Sequence, residues 1–162
     1  MTQAAFEDAV SAAEPSAKQA EPLSVTVVVC VYNRPEAILK CLESLRKQSY
    51  PRLTTIVVDD GSTDNTLQVA RDFQSRHPEM PLVIRSTGAN LGLSQARNVG
   101  IAEASSDLIF FTDSDCQADT EWVAELARAF ESPTVVAAAG VSIDHEPRNY
   151  AELAYTGQTL LS

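Results

Sequence analysis

The chain has 162 residues, 44% of them hydrophobic and 21% charged. That length suits one domain around one core, and that composition excludes wholesale disorder and a disulfide scaffold. Twelve Lys and Arg against 22 Asp and Glu give a net charge of -10, which repels nucleic-acid phosphates unless a local basic patch intervenes, and the sequence shows none.

Residues 1–22 carry four acids and one lysine, two prolines and few large apolar side chains; they read as a mobile leader, with the folded domain over 23–162. They lack the basic and apolar regions of a secretory signal. The longest apolar run, the eight residues Val25 to Tyr32, is too short for a bilayer core of roughly 30 Å. A cytoplasmic location is the expectation. From Ser24 onward, short β-branched runs alternate with amphipathic ones. Val25–Val31, Thr54–Val58, Leu82–Arg85, Leu108–Thr112 and Thr134–Ala139 are predicted strands, apolar enough for burial on both faces.

Glu36–Gln48 is a predicted helix: Ile38, Leu39, Leu42 and Leu45 repeat at helical spacing behind Pro35. Thr66–Arg76 presents Leu67, Ala70 and Phe73 on one face, and Ser94–Ala104 follows. Thr120–Glu131 carries a stripe of Trp122, Val123, Leu126 and Phe130, with Asp119 or Thr120 as its cap and Trp122 expected in the core. Asn149–Leu161 is a further helix candidate. Strand–helix alternation implies an α/β fold with a mainly parallel sheet and helices on both faces. Cys30, Cys41 and Cys116 are odd in number and lack CxxC spacing, so they read as small buried hydrophobes. His77 and His145 read as surface residues.

In an open parallel sheet, ligands sit beyond the carboxyl ends of the strands. Three loops there are unusual: Tyr32-Asn33-Arg34-Pro35, Asp59-Asp60-Gly61-Ser62-Thr63-Asp64 and Asp113-Ser114-Asp115. Asp113 and Asp115 can aim two hard oxygens at one Mg²⁺ or Mn²⁺, or form a solvated acidic turn; the spacing excludes an EF-hand. Asp59 and Asp60 can accept hydrogen bonds from a ribose or a base, serve a tight turn at Gly61, or form a phosphoaspartate site. Arg97, on the helix after Asn90-Leu91-Gly92, can offer a fixed cation to a nucleotide or lie on the surface. GxGxxG and GxxxxGK are both absent.

In this order, Val27–Arg34, Ile56–Asp64, Asn90-Leu91-Gly92 with Ala96–Gly100, and Phe111–Asp115 resemble family 2 glycosyltransferases, over about residues 24–140. The resemblance implies the GT-A fold, a nucleoside diphosphate sugar as donor, a divalent cation (Mn²⁺ or Mg²⁺), and inverting transfer to an acceptor hydroxyl. It places Val31 and Tyr32 along the nucleobase with Asn33 beside them, Asp60 on the base or ribose, and Arg97 near the base. It puts Asp113 on the ribose or on a metal-bound water, and Asp115 on the metal itself. The general base and the acceptor-binding half are expected beyond this chain, because Asp144 and Glu146 come too early for that role. The acceptor is then open among glycan, lipid, protein and small molecule, and the uncovered apolar surface favours self-association. A phosphoaspartate domain and a non-catalytic nucleotide- or protein-binding module are the alternative readings.

Overall fold

The computed structural model describes residues 21–142. Four parallel strands, β1 (Val25–Val31), β2 (Leu53–Asp59), β3 (Leu82–Ser86) and β4 (Leu108–Asp113), form one sheet in the order β3-β2-β1-β4. Because β1 is central, its side chains point alternately into two cores. Val25, Val27, Val29 and Val31 enter the larger one and Val28 the smaller. This is why an almost unbroken valine run is needed there.

Three helices build the larger core: α1 (Pro35–Arg46), α2 (Thr66–Arg76) and, after the helix α3 (Leu93–Glu103) on the opposite face, α4 (Trp122–Ala129). Pro35 starts α1, where its missing N–H costs nothing, and Ile38, Cys41, Leu42 and Leu45 form its buried stripe. Phe73 of α2 is fully buried; a side chain of that size contributes roughly 1.5–3 kcal/mol through burial. On the other face α3 lies close to the sheet because Gly100 has no side chain: a Cβ there would stand 2.4 Å from Cγ1 of Val28.

The connections fix where a ligand can sit. From β1 the chain steps through β2 to β3 on one side, then returns to place β4 on the other side of β1. The order therefore reverses between β1 and β4, and the crevice beyond their carboxyl ends is the switch point of the sheet.

Several expectations need correction. Thr134–Ala139 is not a strand: Thr134 lies in a turn closed by the Val135 N–H on the Ser132 carbonyl (3.1 Å), and 135–142 has no regular structure. Val136 is 93% exposed; β-branched residues form strands only where an edge and a core receive them. The outer strands β3 and β4 are only partly buried, and Phe111 is exposed.

The last helix starts later than predicted, with Glu121 as its N-cap, although the Asp119 carboxylate does accept the Glu121 N–H at 3.0 Å. Trp122 is half-buried at the margin of the core, edge-on to Phe110. Of the cysteines only Cys41 is buried. His77 is not a plain surface residue: it follows α2, stacks on Phe73 with ring centroids 4.4 Å apart, and faces Glu43 and Glu79. Asp144, His145, Glu146 and the helix candidate 149–161 lie outside the described residues. Among the described residues no helix is long and apolar enough to cross a membrane.

Candidate functional site

Strand register brings the expected residues to one edge. Val31 pairs with Asp59 across β1 and β2, Cys30 pairs with Asp113 across β1 and β4, and the Asp60 N–H donates to the Val31 carbonyl at 2.8 Å. Val31 is buried, while Tyr32, immediately after it, is 41% exposed at the rim.

The loop after β1 is pinned to the loop after β2. Asn33 adopts φ 52°, a left-handed conformation that asparagine tolerates better than most residues. Its N–H donates to Ser62 Oγ (2.9 Å), and its Oδ1 accepts the Thr63 N–H (2.8 Å). The Arg34 N–H donates to Thr66 Oγ1 (2.9 Å), whose hydroxyl in turn donates to Asp64 Oδ1. The Gly-Ser-Thr-Asp turn therefore acts as a clamp on the β1 loop, and Asn33 belongs to that clamp.

The two carboxylates after β2 are interior groups. Asp60 is only 4% exposed; its Oδ1 accepts the Leu91 N–H (2.9 Å) and its Oδ2 the Gly92 N–H (2.8 Å), while the Thr87 hydroxyl, 3.2 Å from Oδ1, lies closer to the Ala89 carbonyl (2.7 Å). Asp60 thus draws the β3–α3 loop onto the sheet edge. Gly61, at φ 68°, completes that contact, since a Cβ there would stand 2.3 Å from the Ala89 carbonyl carbon. Asp59 is fully buried, accepting from the Ser62 N–H and the Ser86 hydroxyl (both 3.2 Å), and among the described residues its Oδ1 is without a hydrogen-bond partner. Neither is open to an incoming phosphoryl group, which argues against a phosphoaspartate site.

Asp113, the last residue of β4, and Asp115 just beyond it stand at the crevice, with side chains 66% and 53% exposed. Ser114 between them is buried, so the turn aims both carboxylates outward. Each meets an arginine from a different helix start or face: Arg34, N-cap of α1, places Nη1 2.7 Å from Asp115 Oδ2. Arg97 of α3 places Nη2 3.6 Å from Asp113 Oδ1, with its guanidinium over the Phe111 ring. The Arg34–Asp115 pair therefore bridges the two sides of the switch point. Beneath the turn, the Asp113 carbonyl accepts the Cys116 N–H (3.1 Å) and faces the Cys41 thiol at 3.8 Å. Burial pushes the Cys41 thiol up to about 12. It also raises Cys30, against the opposing influence of Arg97.

Among the described residues no three His, Cys, Asp or Glu side chains converge as a metal cage. Two outward carboxylates that attract guanidinium groups still suit Mg²⁺ or Mn²⁺, which keep waters and take phosphate oxygens for their other positions. The residue that sequence reasoning left without a role is Arg34. Its partner lies 81 positions away, and its only local signal is a cation in a strand-end loop.

The profile described as Glycosyl transferase family 2 matches residues 26–157. The chain is 36% identical over 101 residues to glycosyltransferase AglE of Haloferax volcanii, covering 61% of this chain and 33% of that protein. It is also 36% identical over 133 residues to an N-acetylglucosaminyltransferase of Sinorhizobium fredii, covering 80% and 32%. Among solved structures, the mannosyltransferase PcManGT of Pyrobaculum calidifontis, in complex with GDP-Man and Mn²⁺, superposes with a TM-score of 0.69 at 28% identity, over 72% of this chain and 34% of that one. S. aureus TarS 1-349 in complex with UDP-GlcNAc superposes at 0.61 and 30% identity, over 67% and 31%. The chain thus spans about a third of the length of these relatives. The fold is the GT-A arrangement expected from the sequence, and the chain belongs to glycosyl transferase family 2.

Proposed function

We propose that this chain is the donor-binding portion of an inverting glycosyltransferase that takes a sugar from a nucleoside diphosphate sugar to an acceptor hydroxyl. The observation that carries the reading is the outward pair Asp113 and Asp115 at the switch point, each drawing a cation. A bound Mn²⁺ or Mg²⁺ would neutralise the donor's diphosphate and ease its departure. Asp115 is the metal ligand in this reading, and Asp113 serves the metal or the ribose.

The chain's own residues supply orientation. Tyr32, exposed just past the end of β1, would offer its ring to the nucleobase, next to the buried Val31. Asn33 holds the shape of that loop. Asp60 fixes the Leu91–Gly92 turn through two backbone N–H groups, and in this reading it shapes the loop beside the base and ribose from within. Arg97, leaning on Phe111, stands on the nucleotide side of Asp113. The acceptor and the general base belong, in this reading, to a further half of the enzyme, and a cytoplasmic site of action agrees with a sugar nucleotide as donor. The exposed Phe111, Leu93 and Ile101 favour self-association of the isolated chain.

The solved relatives that carry GDP-Man with Mn²⁺ and UDP-GlcNAc support a nucleotide-sugar donor. The test is calorimetric titration of the chain with GDP and UDP, with and without Mn²⁺. Metal-dependent binding of one of them is expected, and Asp115→Asn should weaken it more than tenfold, or 1.4 kcal/mol. Unchanged binding by Asp115→Asn would remove Asp115 from the site.

A further inference from the structure

We propose that Arg34 is a built-in counterion for Asp115 that gives way to the metal and then binds the donor's diphosphate. This rests on the donor-site reading above and adds to it a residue and an order of events.

The geometry separates a fixed root from a free head. The Arg34 N–H is held by Thr66 Oγ1 (2.9 Å), and its carbonyl accepts the Ile38 N–H (3.1 Å) in the first turn of α1. Its side chain, 56% exposed, has one charged contact among the described residues, the 2.7 Å bond to Asp115 Oδ2. The backbone of residue 34 therefore stays in place whether or not the guanidinium keeps that bond. Arg97 is different: its contact with Asp113 is longer, at 3.6 Å, and its guanidinium also rests on the Phe111 ring. Asp115 thus has a cation in direct contact and Asp113 a more distant one.

A divalent cation taken by the Asp115 carboxylate weakens the hold of Arg34 on it. Like charges a few ångströms apart repel by about 1 kcal/mol per unit pair even in water, and the oxygen has only limited lone-pair directions. An exposed ion pair contributes little, about 0.2–1 kcal/mol, so it is weak enough to be displaced. Once displaced, the guanidinium remains tethered at the rim of the same crevice with five donors in a planar fork, the geometry that pairs with phosphate oxygens. A diphosphate arriving with the metal would meet it there.

This predicts effects of opposite sign from one substitution. In the full chain, Arg34→Gln should bind Mn²⁺ alone roughly two- to fivefold more tightly, because the internal competitor is gone. At saturating Mn²⁺ the same variant should bind GDP and UDP about tenfold more weakly, because a charge-assisted contact is lost. Arg34→Lys keeps the point charge without the fork, so Mn²⁺ affinity should return to the parent value while diphosphate binding recovers only in part. A residue that only supports the fold would move both affinities down or neither.

Isothermal titration of the parent, Arg34→Gln, Arg34→Lys, Asp115→Asn and the Asp115→Asn/Arg34→Gln double variant provides the test. In the Asp115→Asn background, Arg34→Gln should no longer tighten Mn²⁺ binding. If the parent binds Mn²⁺ and loses it on Asp115→Asn, while Arg34→Gln leaves metal affinity unchanged or weaker, the counterion role of Arg34 is overturned and the donor-site reading stands. A parent that binds no Mn²⁺, or that binds it independently of Asp115, overturns both.

Discussion

Asp60 and Asp115 each sit just past the end of a parallel strand in an acidic loop, and their surroundings are opposite. Asp60 is sealed in, its oxygens held by the Leu91 and Gly92 amides. Asp115 is half exposed and holds Arg34 across the crevice. The first carboxylate shapes the β3–α3 loop at the sheet edge, while the second is open at the crevice. Position at a strand end gives both residues access to the same edge, and the nature of the partner decides what each does there. Fixed backbone donors make a structural carboxylate, and an exposed side-chain cation on a half-exposed acid is the surrounding proposed here for a binding one.

The largest expected effect tests the sealed side. Asp60→Ala removes the acceptor from two backbone amides, each lost partner costing about 1–3 kcal/mol where water cannot replace it. Stability should fall by about 3 kcal/mol or more, a large part of the 5–15 kcal/mol typical of a domain. Urea unfolding followed by circular dichroism measures it. A loss below about 1 kcal/mol would mean that the Leu91–Gly92 turn finds other acceptors and that Asp60 is free for ligand.

How much of this contrast could be read in advance depends on how far apart the partners lie. The valine run of β1, the stripe Ile38, Leu42 and Leu45 behind Pro35, and Phe73 in α2 were legible because helix and strand periodicities are local. The set of strand-end loops followed from that alternation, and with it the residues gathered at the edge. The false strand at Thr134–Ala139 shows the limit: its β-branched start resembles β1, but strand formation needs a neighbouring edge, which composition does not encode. Trp122, placed in the core by its stripe, lies at the core margin because α4 is only eight residues long and begins at Trp122 itself. The burial of Asp60 depends on amides 31 and 32 residues away, and the role of Arg34 on a carboxylate 81 residues away. Nothing in either local pattern separates the sealed acid from the open one.

A middle effect concerns what lies beneath the open loop. The Cys41 thiol faces the Asp113 carbonyl at 3.8 Å, and burial pushes it from an ordinary value of 9.0 up to about 12. Below pH 9 the thiol is protonated in both folded and unfolded chains and does not make stability depend on pH. Above pH 9 the unfolded chain releases the proton and the folded chain keeps it. Stability is therefore lost as pH rises from 9 towards 12, by about 1.4 kcal/mol per pH unit. Cys41→Ala should flatten the alkaline limb of the unfolding curve by that slope relative to the parent. Parallel limbs for the two proteins would mean that the thiol ionises in the folded state and that the floor of the loop is wet.

The smallest expected effect on stability is the most telling for the comparison. Asp115→Asn removes a half-exposed charge whose one ion pair, to Arg34, is of the kind that contributes about 0.2–1 kcal/mol. The amide keeps the shape of the side chain and can still accept a hydrogen bond from the guanidinium, so the unfolding free energy should change by no more than about 0.5 kcal/mol. The same substitution that costs little in folding is expected to cost more than tenfold in metal-assisted nucleotide binding. That ratio is the reverse of the one for Asp60→Ala, where any weakening of ligand binding should track the loss of fold. Denaturation and Mn²⁺ titration of the same Asp115→Asn preparation decide the matter. A stability loss above about 2 kcal/mol would show that the Arg34–Asp115 bridge holds the β1 and β4 loops together as structure, and the distinction between the sealed and open carboxylates would then fail at its open end.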